Sequence, residues 1–193
     1  VRVEAIGADD RGLNYGDGLF ETILVHEAQP VWWREHWQRL ARGAAVLRIP
    51  LPDEAVVRRE AEALVSGQAR AVLKLVLTRG RGGRGYAPPA DVVPTCVLSL
   101  HAAPAATPSP VTVRWCETTL AIQPALAGIK HLNRLEQVLA RGEWQDPAIA
   151  EGLMCDSAGR VVCATAANLF VRIDGTWRTP RLDGAGVAGL ARD

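Results

Sequence analysis

The chain is short of lysine: Lys74 and Lys130 stand against twenty arginines in 193 residues. Arginine carries the generic positive charge, so each lysine invites a chemical explanation. Net charge is almost missing as well. With 22 basic against 21 acidic residues the formal charge is +1, which provides no long-range field to gather nucleic acid or an anionic membrane surface. Any anion must be bound locally. Long apolar runs are absent too: AVLKLVL (71–77) falls far short of the roughly 20 residues a membrane span needs. The N-terminal stretch VRVEAIGADDRG lacks the basic-then-apolar layout of a signal peptide, and a cytoplasmic protein is the expectation.

Motif absences narrow the chemistry. The four cysteines, 96, 116, 155 and 163, show no C-x-x-C spacing and sit in strand-like surroundings, so reduced and mostly buried thiols are expected rather than disulfides or zinc ligands. Histidines 26, 36, 101 and 131 show no H-E-x-x-H spacing, and no metal is expected. No serine lies in G-x-S-x-G, and no G-K-[ST] follows the glycine-rich stretch RGRGGRGY (79–86), which excludes a nucleophile elbow and a Walker loop.

What is present reads as an α+β protein with 48% hydrophobic residues. LFETILV (19–25), HEAQ and PVWW form the pattern of a hairpin. Trp37, Leu40, Ala44 and Leu47 recur at helical spacing from Arg34 onward, and a second helix is predicted over Asp53 to Val65. Strands follow at 71–77, 95–100 and 111–115, with the proline-rich stretch HAAPAATPSP (101–110) as the linker. A small α+β domain is therefore expected over 1–105 and a larger β-rich one over 106–193. In the latter, Leu132, Leu135, Val138 and Leu139 predict a helix directly after Lys130. The run from Glu151 to Pro180 reads as a β-meander with turns at DSAG and DG. GAGVAGLARD looks like a glycine-rich loop opening a helix, a place where backbone N–H groups can hold a phosphate.

Lys130 is the first candidate for chemistry. A cation at a helix start opposes the macrodipole, and desolvation by Ile129 and Leu132 would favour the uncharged amine that condenses with carbonyls; a solvated surface lysine is the alternative. Arg79, Arg81 and Arg84 on the glycine-rich loop suit bidentate binding of carboxylates, or else decorate a mobile hairpin. Arg39 lies beside an apolar helical stripe, where arginines usually snorkel. His131 fits a packing role. A condensing lysine, a phosphate loop and an arginine-rich flap together suggest an aldehyde-bearing phosphate cofactor.

The segments NYGDGLFET (14–22), REHWQRL (34–40), TRGRGGRGY (78–86), GIKHLNRLEQVLAR (128–141), EGLMCDSAGRVV (151–162), AANLF (166–170) and TPRLDGAGVAG (179–189) resemble the successive motifs of the aminodeoxychorismate lyase family, fold-type IV pyridoxal-phosphate enzymes of folate biosynthesis. Branched-chain and D-amino-acid aminotransferases share the first two motifs, whereas GGRGY with KHLNRLEQV is more specific to the lyases. The resemblance implies a homodimer in which Lys130 carries pyridoxal 5'-phosphate covalently and later moves a proton. Arg39 would bind the phosphate with the backbone N–H groups of Leu190 and Ala191, and Asn133 and Arg134 would line the cofactor's surroundings. Tyr15 and Arg84 would lie near the substrate, the dicarboxylate 4-amino-4-deoxychorismate. Two departures stand out. Cys163 occupies the position of a glutamate that pairs with the protonated pyridine nitrogen, and family members run some tens of residues further, so the second domain is expected to be incomplete and the natural protein to continue past Asp193. An aminotransferase of the same superfamily and a non-catalytic relative are the rival expectations.

Overall fold

A computed structural model describes residues 5–105 and 110–192. Packing divides the chain into two units. The first comprises the described residues up to Pro104 together with Lys130–Asn133, and the second the described residues of Ala105–Ile129 and those from Arg134 onward. A single division at 105 misses the return of residues 130–133 to the first unit. The part of the linker at 106–109 lies outside the described residues.

The first unit begins with a short helix, α1 (Arg11–Tyr15), followed by strands β1 (Gly18–His26) and β2 (Gln29–Pro30). Between these strands Glu27 and Ala28 both have positive φ, 48° and 57°, the twist-matched hairpin turn usually made by Asn-Gly. The expected second strand PVWW is reduced to Gln29–Pro30. Trp32 turns left-handed at φ 54°, and Trp33 already belongs to helix α2 (Trp33–Leu47). Helix α3 (Glu54–Val65) is capped by Asp53, whose carboxylate accepts from the Ala55 and Val56 N–H groups. Strands β3 (Arg70–Thr78) and β4 (Thr95–Ala102) complete an antiparallel sheet in the order β2-β1-β3-β4.

Alternation decides what this sheet buries. Leu19, Ile23 and Val25 of β1 face inward opposite Leu77, Leu73 and Ala71 of β3. Leu40 and Ala44 of α2 and Val57, Ala61 and Val65 of α3 are buried with them. Gly43 permits the approach of α2, because a Cβ there would stand 2.8 Å from Leu19 Cδ2. Glu21 shares the inward register of these apolar residues.

The second unit holds β5 (Thr112–Trp115), helix α4 (Leu135–Arg141), β6 (Ile149–Cys155) and β7 (Val161–Ala164), then the hairpin β8 (Val171–Ile173) and β9 (Thr176–Arg178). The expected single meander is two sheets: β5-β6-β7, with β5 parallel to β6, and the separate β8-β9 pair. The DSAG turn is built on Asp156, whose carboxylate accepts from the Ala158 and Arg160 N–H groups. Leu120, Ala140, Met154, Val162, Cys163 and Ala185 form the core. The cysteines depart from expectation in burial: only Cys163 is buried, while 96, 116 and 155 are half-buried, and all four are free thiols. Among the described residues no helix is long and apolar enough to cross a membrane.

Candidate active site

Residues 130–132 run along the edge of β1 rather than opening a helix. The Phe20 N–H donates to the Lys130 carbonyl at 3.0 Å, the Leu132 N–H donates to the Gly18 carbonyl at 2.9 Å, and Leu19 faces His131 in an antiparallel bridge. Helix α4 starts only at Leu135, so the macrodipole argument for Lys130 does not apply. The strand register takes its place, setting Lys130 beside Phe20 with Nζ 4.2 Å from the ring centroid. The Nζ of Lys74 stands 5.7 Å from the same centroid, so both lysines of the chain stand near one aromatic ring, whose face attracts cations.

The next residue, Glu21, points to the opposite face of β1 and is 1% exposed. Its Oε1 accepts from Arg39 Nε at 2.9 Å, and its Oε2 takes the Arg39 Nη2 at 2.5 Å and the His36 Nδ1 at 2.6 Å. Burial works against the Glu21 carboxylate, but the bonds from Arg39 and His36 outweigh it and hold its pKa below the ordinary value. Arg39 therefore does not snorkel: it is 8% exposed, its charge paired inside the unit. Helical spacing puts His36 and Arg39 on one face of α2, three residues apart, over the inward side of β1.

The glycine-rich loop is tied down by a residue that motif reading passes over, Arg11. Its Nε donates to Asp17 at 2.9 Å and its two terminal nitrogens donate to the Gly85 and Tyr86 carbonyls, both at 3.0 Å. The guanidinium stands 4.8 Å from the Tyr15 ring centroid, and the Tyr15 hydroxyl accepts from the Gly85 N–H at 3.1 Å. Of the flap arginines, Arg79 is buried, forks onto Asp17 and donates to the Leu47 and Arg48 carbonyls at the end of α2. Arg81 pairs with Asp9. Arg84, exposed like Arg81, has no ion-pair partner among the described residues. Burial opposes the charge on Asp17, yet Arg79 and Arg11 hold its carboxyl below the usual range. Asn133 donates to the Gly16 carbonyl at 3.1 Å, where Gly16 has φ 64° and a Cβ would meet Asn133 Oδ1 at 2.6 Å.

The first unit thus holds Tyr15, Arg39, Arg84, Lys130 and Asn133, and the second holds Arg134, Cys163, Leu190 and Ala191. In the second unit the terminal glycine stretch forms turns, not a helix, among the described residues. Neither the Leu190 nor the Ala191 N–H has an acceptor among those residues. The loop is shaped by Asn168 of the AANLF segment, whose Nδ2 donates to the Val187 carbonyl at 2.9 Å. A Cβ on Gly189 would fall 1.9 Å from Asn168 Oδ1. Burial pushes the Cys163 thiol up to about 11, with the Arg134 charge acting in the other direction, so it is neutral at physiological pH. Glu151, whose charge also acts on Cys163, is committed as acceptor to the Thr165 hydroxyl and to the Gly152, Thr165 and Ala166 N–H groups.

Comparison with known proteins gives this geometry a context. Residues 18–193 match the model of amino-transferase class IV. The chain is 38% identical over 187 residues to the aminodeoxychorismate lyase of Vibrio harveyi, covering 95% of this chain and 69% of that one. It superposes with a TM-score of 0.92 and 47% identity on the 4-amino-4-deoxychorismate lyase of Pseudomonas aeruginosa, covering 99% of this chain and 72% of that structure. A hypothetical aminotransferase from Mycobacterium tuberculosis, solved in a PLP-bound form, shares the fold at a TM-score of 0.79 and 20% identity, covering 98% and 70% of the two chains.

Proposed function

The chain belongs to the aminotransferase class IV family, and we propose that it is a pyridoxal-phosphate-dependent lyase that converts 4-amino-4-deoxychorismate to 4-aminobenzoate and pyruvate. One observation carries the cofactor part of this reading: Lys130 is held on the edge of β1 with its amine over Phe20. The similarity to lyases of Vibrio harveyi and Pseudomonas aeruginosa supports the lyase over a transaminase.

The donor set suits the cofactor at its aldehyde and at its phosphate. Lys130 offers a primary amine, Arg39 a buried guanidinium, and Leu190 and Ala191 a pair of backbone N–H groups with no acceptor among the described residues. At the ring nitrogen the fit is weaker, because Cys163 is a neutral thiol where the resemblance calls for a carboxylate. When bound, pyridoxal phosphate supplies a carbonyl that amines condense with and a ring that accepts negative charge.

The protein's own task is then small. The Lys130 amine takes the proton from the substrate ring carbon that bears nitrogen. The C–O bond to the enolpyruvyl group breaks, that group leaves and gains a proton to become pyruvate, and the ring becomes aromatic. Aromatisation lowers the demand on the electron sink, which makes a thiol at position 163 tolerable. Arg84 and Tyr15 orient the carboxylates, while Asn133 and Arg134 line the cofactor's surroundings. A homodimer in the cytoplasm completes the proposal, the first of these being read by sedimentation.

The test is product formation with pyridoxal phosphate and aminodeoxychorismate as sole substrate. Pyruvate released in step with 4-aminobenzoate, without a keto-acid acceptor, is expected. Turnover only when a keto acid is added would favour an aminotransferase, and no turnover with either would favour a non-catalytic relative.

A further inference from the structure

Arg39 comes with a device that the reaction itself does not require. Glu21 sits at an inward position of β1, between Leu19 and Ile23 and opposite Leu75, where an aliphatic side chain would pack without penalty. Burying a carboxylate is unfavourable unless partners compensate for the lost water. Trp33, Trp37, Leu40 and Leu75 line the narrow space beside it, which has no room for a water molecule, and Glu21 itself is 1% exposed. The charge is therefore met by Arg39 and His36, not by solvent.

The geometry of the fork specifies what this arrangement does. Glu21 engages Nε and one terminal nitrogen of Arg39, which fixes the plane of the guanidinium. His36 bonds to the same Oε2 that meets Arg39 and so stops the carboxylate from turning. Because the carboxylate stays ionised and accepts only, the His36 Nδ1 carries the hydrogen. A long arginine side chain loses rotamer freedom when it grips an anion, and presetting it removes that cost from the binding step.

We propose that Glu21, seconded by His36, is a positioning residue that holds the Arg39 guanidinium ready for the cofactor phosphate. This rests on the pyridoxal phosphate reading above. The device acts on the phosphate alone, so it changes the advantage of pyridoxal phosphate over pyridoxal and leaves the aldehyde end untouched.

The experiment titrates wild type and Glu21→Gln with pyridoxal phosphate and with pyridoxal by absorbance, together with unfolding curves. Wild type should prefer the phosphorylated form strongly. Glu21→Gln should cut that preference by about tenfold or more while its affinity for pyridoxal stays within about twofold. A folded Glu21→Gln protein that keeps the full preference overturns the proposal. If Glu21→Gln does not fold, Glu21→Asp serves, since it keeps the charge but shortens the reach; a preference unchanged from wild type again overturns it. A wild type that binds both forms equally overturns the proposal and the phosphate role of Arg39 together. A wild type that gains no covalent adduct on Lys130 while still preferring the phosphate contradicts the lysine reading alone.

Discussion

Lys130 lies beside Phe20 across the edge of β1, its carbonyl accepting from the Phe20 N–H at 3.0 Å and its Nζ 4.2 Å from the ring centroid. Main chain and side chain are thus located by the same neighbour. Replacing the ring removes one of those constraints and leaves the other. A cation over an aromatic face is worth about 1 kcal/mol at a partly exposed site. Because that attraction favours the charged amine while the neutral amine is what condenses, Phe20→Leu should capture pyridoxal phosphate as fast as wild type or up to about fivefold faster, as read by stopped-flow absorbance, with a melting temperature near that of wild type.

Cys163 lies in the core of the second unit with its thiol pushed up to about 11. Cys163→Glu should raise the rate of proton abstraction in single-turnover assays. It should also lower stability by about 1–3 kcal/mol, because a carboxyl enters an apolar cluster. An unchanged or lower single-turnover rate contradicts the electron-sink account. In the unmodified protein Cys163 and Cys96, the latter also pushed up to about 11 by burial, should resist iodoacetamide at pH 8, where less than about 1% of such a thiol is ionised. Peptide mapping after brief alkylation checks this.

The carboxyls of Glu21 and Asp17 are both held below their ordinary values of 4.5 and 3.8. A depressed folded-state pKa contributes stability above the unfolded value and loses it as pH falls through the folded one. Urea midpoints should hold steady from pH 7 down to the ordinary carboxylate range and drop below it. Glu21→Gln should be less stable at pH 7 and lose less on acidification, a difference that parallel urea titrations measure.

Gly189 is the tightest point of the terminal loop, its missing Cβ standing 1.9 Å from Asn168 Oδ1. Gly189→Ala should displace Asn168 from the Val187 carbonyl and cost about 1–3 kcal/mol. The affinity for pyridoxal phosphate should fall more than that for pyridoxal, since the loop contributes the Leu190 and Ala191 N–H groups. Equal losses for the two would place the effect on overall stability instead.

How much of this could be read from sequence depends on whether the cause was local. Alternation in LFETILV predicts β1, and the same alternation, read for side, puts Glu21 inward with Leu19 and Ile23. The sequence does not say who neutralises it, because His36 and Arg39 arrive from 15 and 18 residues away. Leu132 and Leu135 fit a helical stripe, so the sequence predicts a helix directly after Lys130. A remote strand edge, Gly18–Phe20, wins residues 130–132 instead, and Leu135, Val138 and Leu139 are exposed. Arg11 and Arg79 look like the other arginines until tertiary contacts bury them against Asp17. Arg79 opens the glycine-rich loop, which is the one local hint; Arg11 is more than seventy positions before the residues it holds, Gly85 and Tyr86.

The central claim is that one amine of this chain carries the cofactor. Scarcity of lysine makes the test clean: after incubation with pyridoxal phosphate and borohydride, peptide mass spectrometry of residues 1–193 has two lysines, Lys130 and Lys74, to distinguish. The account predicts a pyridoxyl group on Lys130, absent from Lys130→Ala. A label on Lys74 in preference to Lys130, or none at all on a folded protein at saturating cofactor, would contradict it.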